Sequence, residues 1–225
     1  MAGGGRFSSN TCCRGCGVGC RLWQWEILDR QQGCLYCGLG QVGWFCEGAV
    51  SICLGGMAST HCLCSIRSHA LVKIASQHEP HNTIIADTLS LPHPHAKFDF
   101  AISIAVIHHL STRTRRVEAI EAILQTLKPA SEQTEKGQAL IFVWALEQKT
   151  SRRGWDHGDD QDVLVPWVLK PDGKEDPDSH PTTYQRYYHL YREGEIQDDA
   201  TAAGGHIVKS GYDRDNWWVI IERKI

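Results

Sequence analysis

The chain has 225 residues, of which 42% are hydrophobic and 22% are charged, and its formal net charge is -3. These proportions predict one globular domain of α/β size and exclude collagen, coiled-coil and low-complexity architectures. A net charge so close to zero also excludes capture of nucleic acid by overall charge, so any RNA contact must come from a local basic patch.

The start of the chain has no charged-then-apolar signal pattern, and the longest apolar stretch, residues 49–58, is short and interrupted by glycine. We therefore expect no membrane association. The expected location is the cytoplasm, and also the nucleus.

The first 66 residues differ in composition from the rest. All ten cysteines and 13 of the 21 glycines lie before residue 65, where neither helical nor strand periodicity is present. Cys13-x-x-Cys16 followed by Cys34-x-x-Cys37 has the spacing of a four-thiolate zinc site. Six surplus cysteines argue against a zinc module, and a reducing compartment disfavours a disulfide framework. We assign no metal ligand, and the zinc site remains the alternative to the explanation that follows.

The codons of one segment, Trp23-Gln24-Trp25-Glu26-Ile27, restrict what the same nucleotides can encode in another reading frame, because tryptophan has a single codon. Read one nucleotide later, this segment must encode Gly, then Asn or Ser, then Gly, then Lys or Arg. The shifted frame over residues 19–43 decodes as a strand, a glycine-rich turn and a strand ending in Asp, which is typical of the nucleoside-binding half of a Rossmann-like fold. We hypothesise that residues 1–66 are a disordered product of a shifted upstream exon and a retained intron, which the coding DNA would test.

From residue 67 onward, strand and helix patterns alternate. The predicted strands cover Asn82–Asp87, 98–107, 139–144, 207–208 and 217–221. The predicted helices cover 71–76, the segment before Pro129 in which Val117, Ile120, Ile123, Leu124 and Leu127 recur at helical spacing, and 192–203. This alternation predicts a doubly wound, mostly parallel sheet over 67–225, with a mobile linker at 170–183.

Several blocks of this region resemble a known family. They are Ile85–Asp87 with Leu91–His93, Phe98–His109, Gln138–Ile141, Val143–Gln148, Ser151–Trp155, Gln161–Val163, Val165–Trp167, Arg186–Glu195 and Arg214–Trp218. They resemble the fungal tRNA (carboxymethyluridine-5-O)-methyltransferases and the methyltransferase domain of their animal AlkB-like relatives. The earliest blocks occur in many methyltransferases, whereas the last group is specific to this tRNA family. The resemblance implies a Rossmann-like class I S-adenosylmethionine-dependent methyltransferase fold, incomplete at its N-terminus.

The resemblance also implies the cofactor, S-adenosylmethionine, and four residues that would hold it. Asp87, with Thr88 beside it, would hydrogen-bond the adenine amino group, although an Asp that only caps a turn shows the same local pattern. Ala105 and Val106 would contact the cofactor through their backbone at the end of a buried strand. The chain as written lacks the family's glycine loop, so cofactor binding by this polypeptide stays open.

The family reaction moves a methyl group from this cofactor to the carboxylate of 5-carboxymethyluridine at the tRNA wobble position. Because a carboxyl group with a pKa of about 4 is already ionised at neutral pH, the reaction needs positioning and no general base. We therefore assign no acid–base residue. Arginine binds anions through a planar fork, which makes Arg152 and Arg153 the candidates for the carboxylate or for a phosphate. A solvated basic loop is the alternative for either one.

Arginine and tyrosine alternate around residue 188, an arrangement typical of surfaces that stack unpaired bases and neutralise phosphates. For the tyrosines, packing in the core is the alternative. The candidate contacts to the tRNA anticodon loop are Arg186, Tyr187, Tyr188, Arg192, His108 at a strand end, and Asn216 and Trp217 at a turn. The resemblance further implies a small zinc-ribbon activator protein as a partner.

Three other functions stay open on the sequence. A small-molecule methyltransferase would share the fold but would not need the arginine–tyrosine stretch. A non-catalytic methyltransferase fragment is expected if the chain without its glycine loop is really translated. A zinc-binding adaptor would need the N-terminal thiolates.

Overall fold

The computed structural model of the chain describes residues 49–54, 61–69, 72–73, 76, 82–129, 137–148, 151, 153–169 and 182–223. The paired cysteines at 13–37, the glycine-loop segment, half of the predicted helix at 71–76 and most of the predicted linker lie outside these ranges. In the described half of that helix, Val72 and Lys73 are helical. Across the described ranges, no helix is long and apolar enough to cross a membrane.

Nine strands and two helices form the described structure. The strands are β1 (Ala49–Leu54), β2 (His61–Ile66), β3 (Asn82–Ile85), β4 (Phe100–Ile104), β5 (Gln138–Trp144), β6 (Asp162–Leu169), β7 (Thr182–His189), β8 (Gly205–Asp213) and β9 (Asn216–Arg223). The helices are α1 (Arg113–Thr126) and α2 (Glu195–Ala202), with a single 3-10 turn at Ile107–His109. The predicted strands at 82–87, 98–107, 139–144, 207–208 and 217–221 are confirmed as β3, β4, β5, β8 and β9.

Seven strands form one sheet in the order β3-β2-β1-β4-β5-β9-β8. β2 is parallel to β3 and β4 is parallel to β5, whereas β1 and β9 are antiparallel to both of their neighbours. Five strands therefore point one way and two point the other. Four of the six neighbouring pairs are antiparallel, so the sheet is mixed and not mostly parallel as predicted.

The carboxyl ends of β3, β4 and β5 lie along one edge of this sheet, which we call the carboxyl edge. β1 runs the opposite way, so its first residue, Ala49, pairs with Ile104 at the end of β4. Its last residue, Leu54, pairs with His61 at the start of β2. The chain thus enters β1 at the carboxyl edge and leaves it at the other edge.

α1 and α2 pack against each other beside the C-terminal half of the sheet. The Thr112 hydroxyl caps α1 by accepting the Arg115 N–H at 3.3 Å. Ile120 and Ile123 of α1 are fully buried against the sheet, as the helical spacing predicts. Burying a side chain of this size stabilises the fold by about 1.5–3 kcal/mol relative to leaving it in water.

The opposite face of the sheet carries its own apolar cluster. Its members alternate with the helix-facing residues along β4, β5 and β9 and are Phe100, Ile102, Leu140, Trp218 and Ile220. Trp218 belongs to this cluster, so it is the core member of the Trp217–Trp218 pair. The continuous apolar runs in β4 and β5 follow from this burial on both faces.

β6 and β7 form a separate antiparallel hairpin that we did not predict. Val165 and Tyr188 on one of its faces are buried with Leu146 and Leu190. The arginine–tyrosine stretch is therefore mainly a strand. The pattern was hard to recognise because Pro166 normally argues against a central strand, and it is tolerated here because β6 has a single partner strand in the described sheets.

Candidate active site at the carboxyl edge

A cavity of about 330 Å³ opens where β5 ends. Its lining residues are Trp144, Gln148, Ser151, Arg153, Arg214, Asp215 and Asn216. Trp144 is the last residue of β5 and pairs with Asn216, the first residue of β9. Open α/β sheets bind ligands at this edge, so the position agrees with that of an active site.

Arg153 is exposed and its guanidinium contacts two neighbouring indole rings, whose centres are 6.3 Å apart. Its guanidinium carbon lies 5.3 Å from the ring centre of Trp144 and 5.3 Å from that of Trp155. Its backbone N–H donates to the Ser151 hydroxyl at 3.3 Å, and that hydroxyl donates to Gln148 Oε1 at 3.2 Å. Cation–π contacts fix the plane of the guanidinium and leave its edge to bind an anion. Its predicted companion, Arg152, lies outside the described residues.

The turn between β8 and β9 supplies three further residues of the cavity. Arg214 and Asp215 have left-handed φ angles of 44° and 64°, as in a two-residue type I′ turn that usually contains Asn-Gly. The Asn216 side-chain amide donates to the Arg214 carbonyl at 2.7 Å. The Ala145 N–H donates to the Asp215 carbonyl at 2.9 Å and joins the turn to the end of β5. Backbone strain of this kind clusters at functional sites.

The charges of this lining favour an anionic ligand. Arg153 and Arg214 contribute two positive charges and Asp215 one negative charge, which leaves one net positive charge on the lining residues. The described lining contains no histidine, cysteine or lysine. Such a set of residues can position a carboxylate but has no ready proton carrier near neutral pH.

His108 lies beneath the cavity. Its ring is fully buried, and its Nδ1 accepts the backbone N–H of Trp144 at 3.0 Å. Burial, followed by the charges of His109 and His189, lowers the pKa of His108 well below its usual value. Its Nε2 has no hydrogen-bond partner among the described residues. A neutral His108 supports the end of β5, and direct contact with RNA would require the hairpin to move.

Tyr188 is also buried, and its ring stacks on Trp144 with 4.3 Å between ring centres and 15° between planes. The core alternative for this tyrosine is therefore the observed one, and it forms the wall behind the cavity. Tyr187, its neighbour, points to the other side of the strand, where its hydroxyl donates to Asp162 Oδ1 at 2.5 Å. Burial and this carboxylate raise the pKa of Tyr187 to about 12.

Three other predicted RNA contacts differ in their surroundings. Arg186 lies farther out on β7, with its guanidinium carbon 4.3 Å from the Trp167 ring centre. Arg192 is exposed at the start of the loop that leads into α2. The Trp217 indole N–H donates to Glu147 Oε2 at 2.9 Å, which gives this half-buried ring a structural bond.

The predicted cofactor residues lie at the ends of β3 and β4. Asp87 Oδ1 accepts the Leu89 N–H at 3.1 Å, and the Thr88 hydroxyl oxygen is buried without a partner among the described residues. Ala105 has a left-handed φ of 57°, and Val106 follows it at the start of the 3-10 turn. The Asp87 contact is the turn cap named as the alternative, and its Oδ2 lies 3.8 Å from Arg67 Nε. Cofactor binding by these residues stays a prediction.

A buried ion network joins the hairpin to the two helices. Asp199 is fully buried and accepts from Arg113 Nε at 2.9 Å, from Arg116 Nε at 3.5 Å and from the Tyr191 hydroxyl at 3.2 Å. His189 Nε2 lies 2.7 Å from Glu195 Oε1. Burial and the charge of Asp199 raise the pKa of Tyr191 well above its usual value. This network holds the C-terminal end of β7, at His189, against the two helices.

Sequence reasoning missed Trp144, Trp155, Gln148 and Asp215 as site residues. Trp144 and Trp155 are eleven positions apart and reach the site from a strand end and a loop, and Asp215 lies 60 positions beyond Trp155. No local signal connects such residues, because only the packing of β5, β9 and the 151–155 loop brings them together. Among the described residues, no group of three or more potential ligands is placed to hold a metal ion.

Comparisons with known proteins identify the relatives of this chain. Residues 37–132 match a methyltransferase-domain family model, a match that begins inside the cysteine-rich segment. The chain is 49% identical over 170 residues to the tRNA (carboxymethyluridine(34)-5-O)-methyltransferase of Schizosaccharomyces pombe, with 71% of each chain covered. It is 37% identical to the enzyme of the same name from Saccharomyces cerevisiae, covering 76% of this chain and 79% of that relative.

The fold is similar to that of an S-adenosylmethionine-dependent methyltransferase from Clostridium acetobutylicum, with a TM-score of 0.50, 11% identity and coverage of 72% of this chain and 74% of that one. This similarity confirms the predicted class I fold, and the cofactor of that class is S-adenosylmethionine. From the two yeast relatives, the chain belongs to the tRNA (carboxymethyluridine(34)-5-O)-methyltransferase family.

Proposed function

We propose that this protein methylates the carboxylate of 5-carboxymethyluridine at the wobble position of tRNA. Membership of the family makes it an S-adenosylmethionine-dependent tRNA methyltransferase. The finer assignment concerns the nucleotide and the atom that is modified. The observation that carries it is the net positive cavity in which the Arg153 guanidinium contacts both Trp144 and Trp155.

The acceptor is ready to react at neutral pH. Because its pKa is about 4, the carboxylate is already an anion and no residue has to remove a proton. When bound, S-adenosylmethionine supplies a sulfonium methyl group to a carboxylate oxygen, and the electrons of the broken C–S bond return to sulfur. The protein therefore has to align the two groups and exclude water.

Arg153 is the residue that we propose for this alignment. The guanidinium fork can hold both oxygens of a carboxylate, which sets the direction of the remaining lone pairs. The two indoles restrict rotation of the guanidinium, so less conformational entropy is lost on binding. Asn216 and Arg214 lie across the cavity, where they can contact the uracil ring or its ribose phosphate.

For the cofactor, we propose that Asp87 and Thr88 hold the adenine amino group while Ala105 and Val106 pack against the nucleoside. The buried, unsatisfied Thr88 hydroxyl supports this role, because a bound ligand would give it a partner. We further propose that Arg186, Tyr187, Arg192 and Trp217 lie along the path of the anticodon loop, and that His108 and Tyr188 support the cavity from beneath.

The partner and the location are proposals that rest on the family resemblance and on composition. We propose a small zinc-ribbon activator protein as the partner, and the cytoplasm and nucleus as the location. Co-expression with such a protein, followed by size-exclusion chromatography, tests the first. The two methyltransferase alternatives, a small-molecule enzyme and a non-catalytic fragment, have less support because the relatives are named as tRNA methyltransferases.

Replacing Arg153 tests the assignment. We expect Arg153→Ala to slow ester formation on tRNA that bears 5-carboxymethyluridine by about 100-fold to 1,000-fold, the effect of losing an anion-binding donor at a reacting centre. Arg153→Lys keeps the charge but loses the fork, so it should recover only part of the rate. Mass spectrometry of the modified nucleoside measures both.

The matched control is Arg223→Ala, because Arg223 is an exposed arginine at the far edge of the same sheet. It should leave the rate unchanged. Calorimetric titration with S-adenosylmethionine should give the same affinity for the wild type and the Arg153→Ala variant. An unchanged rate in Arg153→Ala, or an equal loss of cofactor affinity, contradicts the role proposed for Arg153.

A further inference from the structure

One face of the β6–β7 hairpin carries large side chains along its whole length. We call the end at Asp162 and His189 its base and the end at Leu169 and Thr182 its tip. Directly opposed residues of an antiparallel pair point to the same side of the sheet, and so does every second residue along a strand. From base to tip, the opposed pairs on this face are Val163 with Tyr188, Val165 with Arg186, and Trp167 with Tyr184. The face therefore changes from aliphatic and aromatic at its base to aromatic and basic at its tip.

Burial decreases in the same direction. Tyr188 and Val165 are both 4% exposed, whereas Tyr184 at the tip is 52% exposed. Trp167 and Arg186 are half-buried, and each contacts the other through the 4.3 Å cation–π pair. Packing in the core accounts for the apolar side chains at the base of the hairpin. It does not account for the exposed Tyr184 at the tip or for Trp167, which Arg186 covers.

We call Trp167, Tyr184 and Arg186 the outer hairpin face. The Trp167 and Tyr184 ring centres are 6.3 Å apart with 40° between planes. A base stacked on both sides needs about 6.8 Å, twice the 3.4 Å step of stacked bases. The two rings are tilted and Arg186 covers Trp167, so we place no base between them. Because Tyr184 is 52% exposed, the outer side of its ring is open to stacking.

The outer hairpin face is continuous with the candidate active site. Tyr188, on the same face of β7, stacks on Trp144, which lines the cavity. Tyr184 is four residues from Tyr188 along the strand, or about 13 Å at about 3.3 Å per residue. A nucleotide chain that places one base in the cavity can therefore reach the outer hairpin face within a few nucleotides.

We propose that the outer hairpin face binds an unpaired base of the anticodon loop that is adjacent or nearly adjacent to the modified nucleotide. This inference rests on the proposed function, because it takes the cavity as the site of the modified uridine. The base stacks on Tyr184, and Arg186, oriented by Trp167, offers positive charge to the phosphate backbone. Since every base has a stacking face, this contact selects an unpaired loop more than a particular sequence.

The size of the patch favours RNA over a protein partner. Tyrosine, tryptophan and arginine are also common at the centres of protein interfaces. A stable protein interface, however, takes about 20–30 residues on each side, whereas this patch is one short row of three side chains on a two-stranded ribbon. A row of rings beside a basic group matches the dimensions of a single nucleic acid strand.

The test uses the full chain and an anticodon stem-loop RNA that bears 5-carboxymethyluridine. We expect Tyr184→Ala to raise the Kd for this RNA, measured by fluorescence anisotropy, by about 5-fold to 140-fold, because one base–aromatic stack contributes that range of affinity. Tyr184→Phe keeps the ring and should bind within about 2-fold of the wild type. Val208→Ala is the control, since Val208 is 47% exposed on β8 and lies outside the hairpin.

Two further measurements test where the RNA contacts the hairpin. With 2-aminopurine in the loop beside the modified uridine, binding to the wild type should quench its fluorescence, and Tyr184→Ala should remove the quenching at one loop position. Methylation of the free nucleoside 5-carboxymethyluridine should be equal in the wild type and in Tyr184→Ala. If the wild type methylates neither nucleoside nor RNA, the proposed function fails, while the binding comparison still decides the role of the hairpin.

The proposal is overturned if Tyr184→Ala leaves the Kd unchanged, or if Val208→Ala weakens RNA binding as much as Tyr184→Ala does. It is also overturned if Tyr184→Ala loses a protein partner while its affinity for the stem-loop stays that of the wild type.

Discussion

The two halves of the seven-stranded sheet reach the carboxyl edge in different ways. In the C-terminal half, β4 and β5 are parallel and end beside each other, and the turns that follow them carry Ala105, Trp144 and the cavity. In the N-terminal half, β1 lies beside β4 but runs in the opposite direction. The strands follow the order of an open α/β sheet. The central strand, β1, nevertheless starts at the carboxyl edge, where a cofactor-binding strand would end.

This difference shows that strand order and strand direction have separate causes. An apolar strand can fill the central position in either direction, because both directions bury the same residues and pair the same backbone groups. Direction depends on the connection. Only six residues separate β1 from β2, and a parallel crossover needs a dozen or more, so the two strands pair as an antiparallel hairpin.

The consequence concerns the cofactor. A glycine loop binds the nucleoside cofactor when it follows a strand at the carboxyl edge and leads into a helix. Within the described residues, the predicted adenine contacts Asp87, Thr88 and Ala105 lie at the ends of β3 and β4, and no strand–glycine-loop–helix unit accompanies them. The C-terminal half thus carries the candidate acceptor cavity, and the N-terminal half has the strand order without the loop.

The largest expected effect tests the C-terminal half. We expect Asp199→Ala to lower the free energy of unfolding by about 3–5 kcal/mol, because Arg116, whose side chain is 5% exposed, would be left without its buried carboxylate partner. Urea unfolding monitored by circular dichroism measures this loss.

Arg113→Ala is the control for this change, because Arg113 contacts the same carboxylate from a side chain that is 60% exposed. Its loss of stability should be much smaller. Equal losses in the two variants would mean that the network does not join the helices through the buried pair.

A proline in β1 tests the N-terminal half. Ser51 lies in the middle of β1 and pairs with Cys64 on one side and Ile102 on the other. Proline at this position removes a backbone donor from a strand with two neighbours, so we expect Ser51→Pro to cost about 3 kcal/mol or more. Thermal unfolding against Ser51→Ala measures the difference. Equal stability of the two variants would show that the C-terminal half folds without β1.

The smallest expected effect is a pH dependence at the boundary between β4 and β5. The pKa of His108 is lowered by burial, so between its usual value of about 6.5 and its lower value in the fold, the unfolded chain binds more protons than the folded one. Stability should therefore be greatest above about pH 6.5 and should fall as the pH decreases below it. His93, whose pKa burial also lowers, adds to the same slope.

His108→Asn provides the comparison, because the Asn side-chain oxygen can still accept the Trp144 N–H but does not titrate. Its stability, measured by urea unfolding at several pH values, should fall less steeply between pH 6.5 and 5 than that of the wild type. A steeper fall in this variant would contradict the burial of a neutral His108.

The helices and strands that were predicted from the sequence were those whose apolar residues recur at a regular spacing. The spacing of Ile120, Ile123 and Leu124 predicted α1, and the apolar run at 98–107 predicted β4. The hairpin was missed because Pro166 interrupts β6 and because polar and aromatic residues alternate in β7 on a two-stranded ribbon that is buried only at its base. β1 and β2 were not predicted, because both lie in the first 66 residues, which we expected to be disordered. That expectation was wrong for 49–54 and 61–66, which form strands paired with β4 and β3.

The sequence by itself determined the alternation of strands and helices from residue 82 onward and the resemblance to the family, because these depend on local patterns and matched motifs. The tertiary structure alone decided which arginine contacts two indoles, that His108 and Tyr188 are buried supports, and that Trp167 and Tyr184 share an exposed face. These features depend on contacts between residues far apart in the chain, which form only when the sheet, the hairpin and the β8–β9 turn pack together.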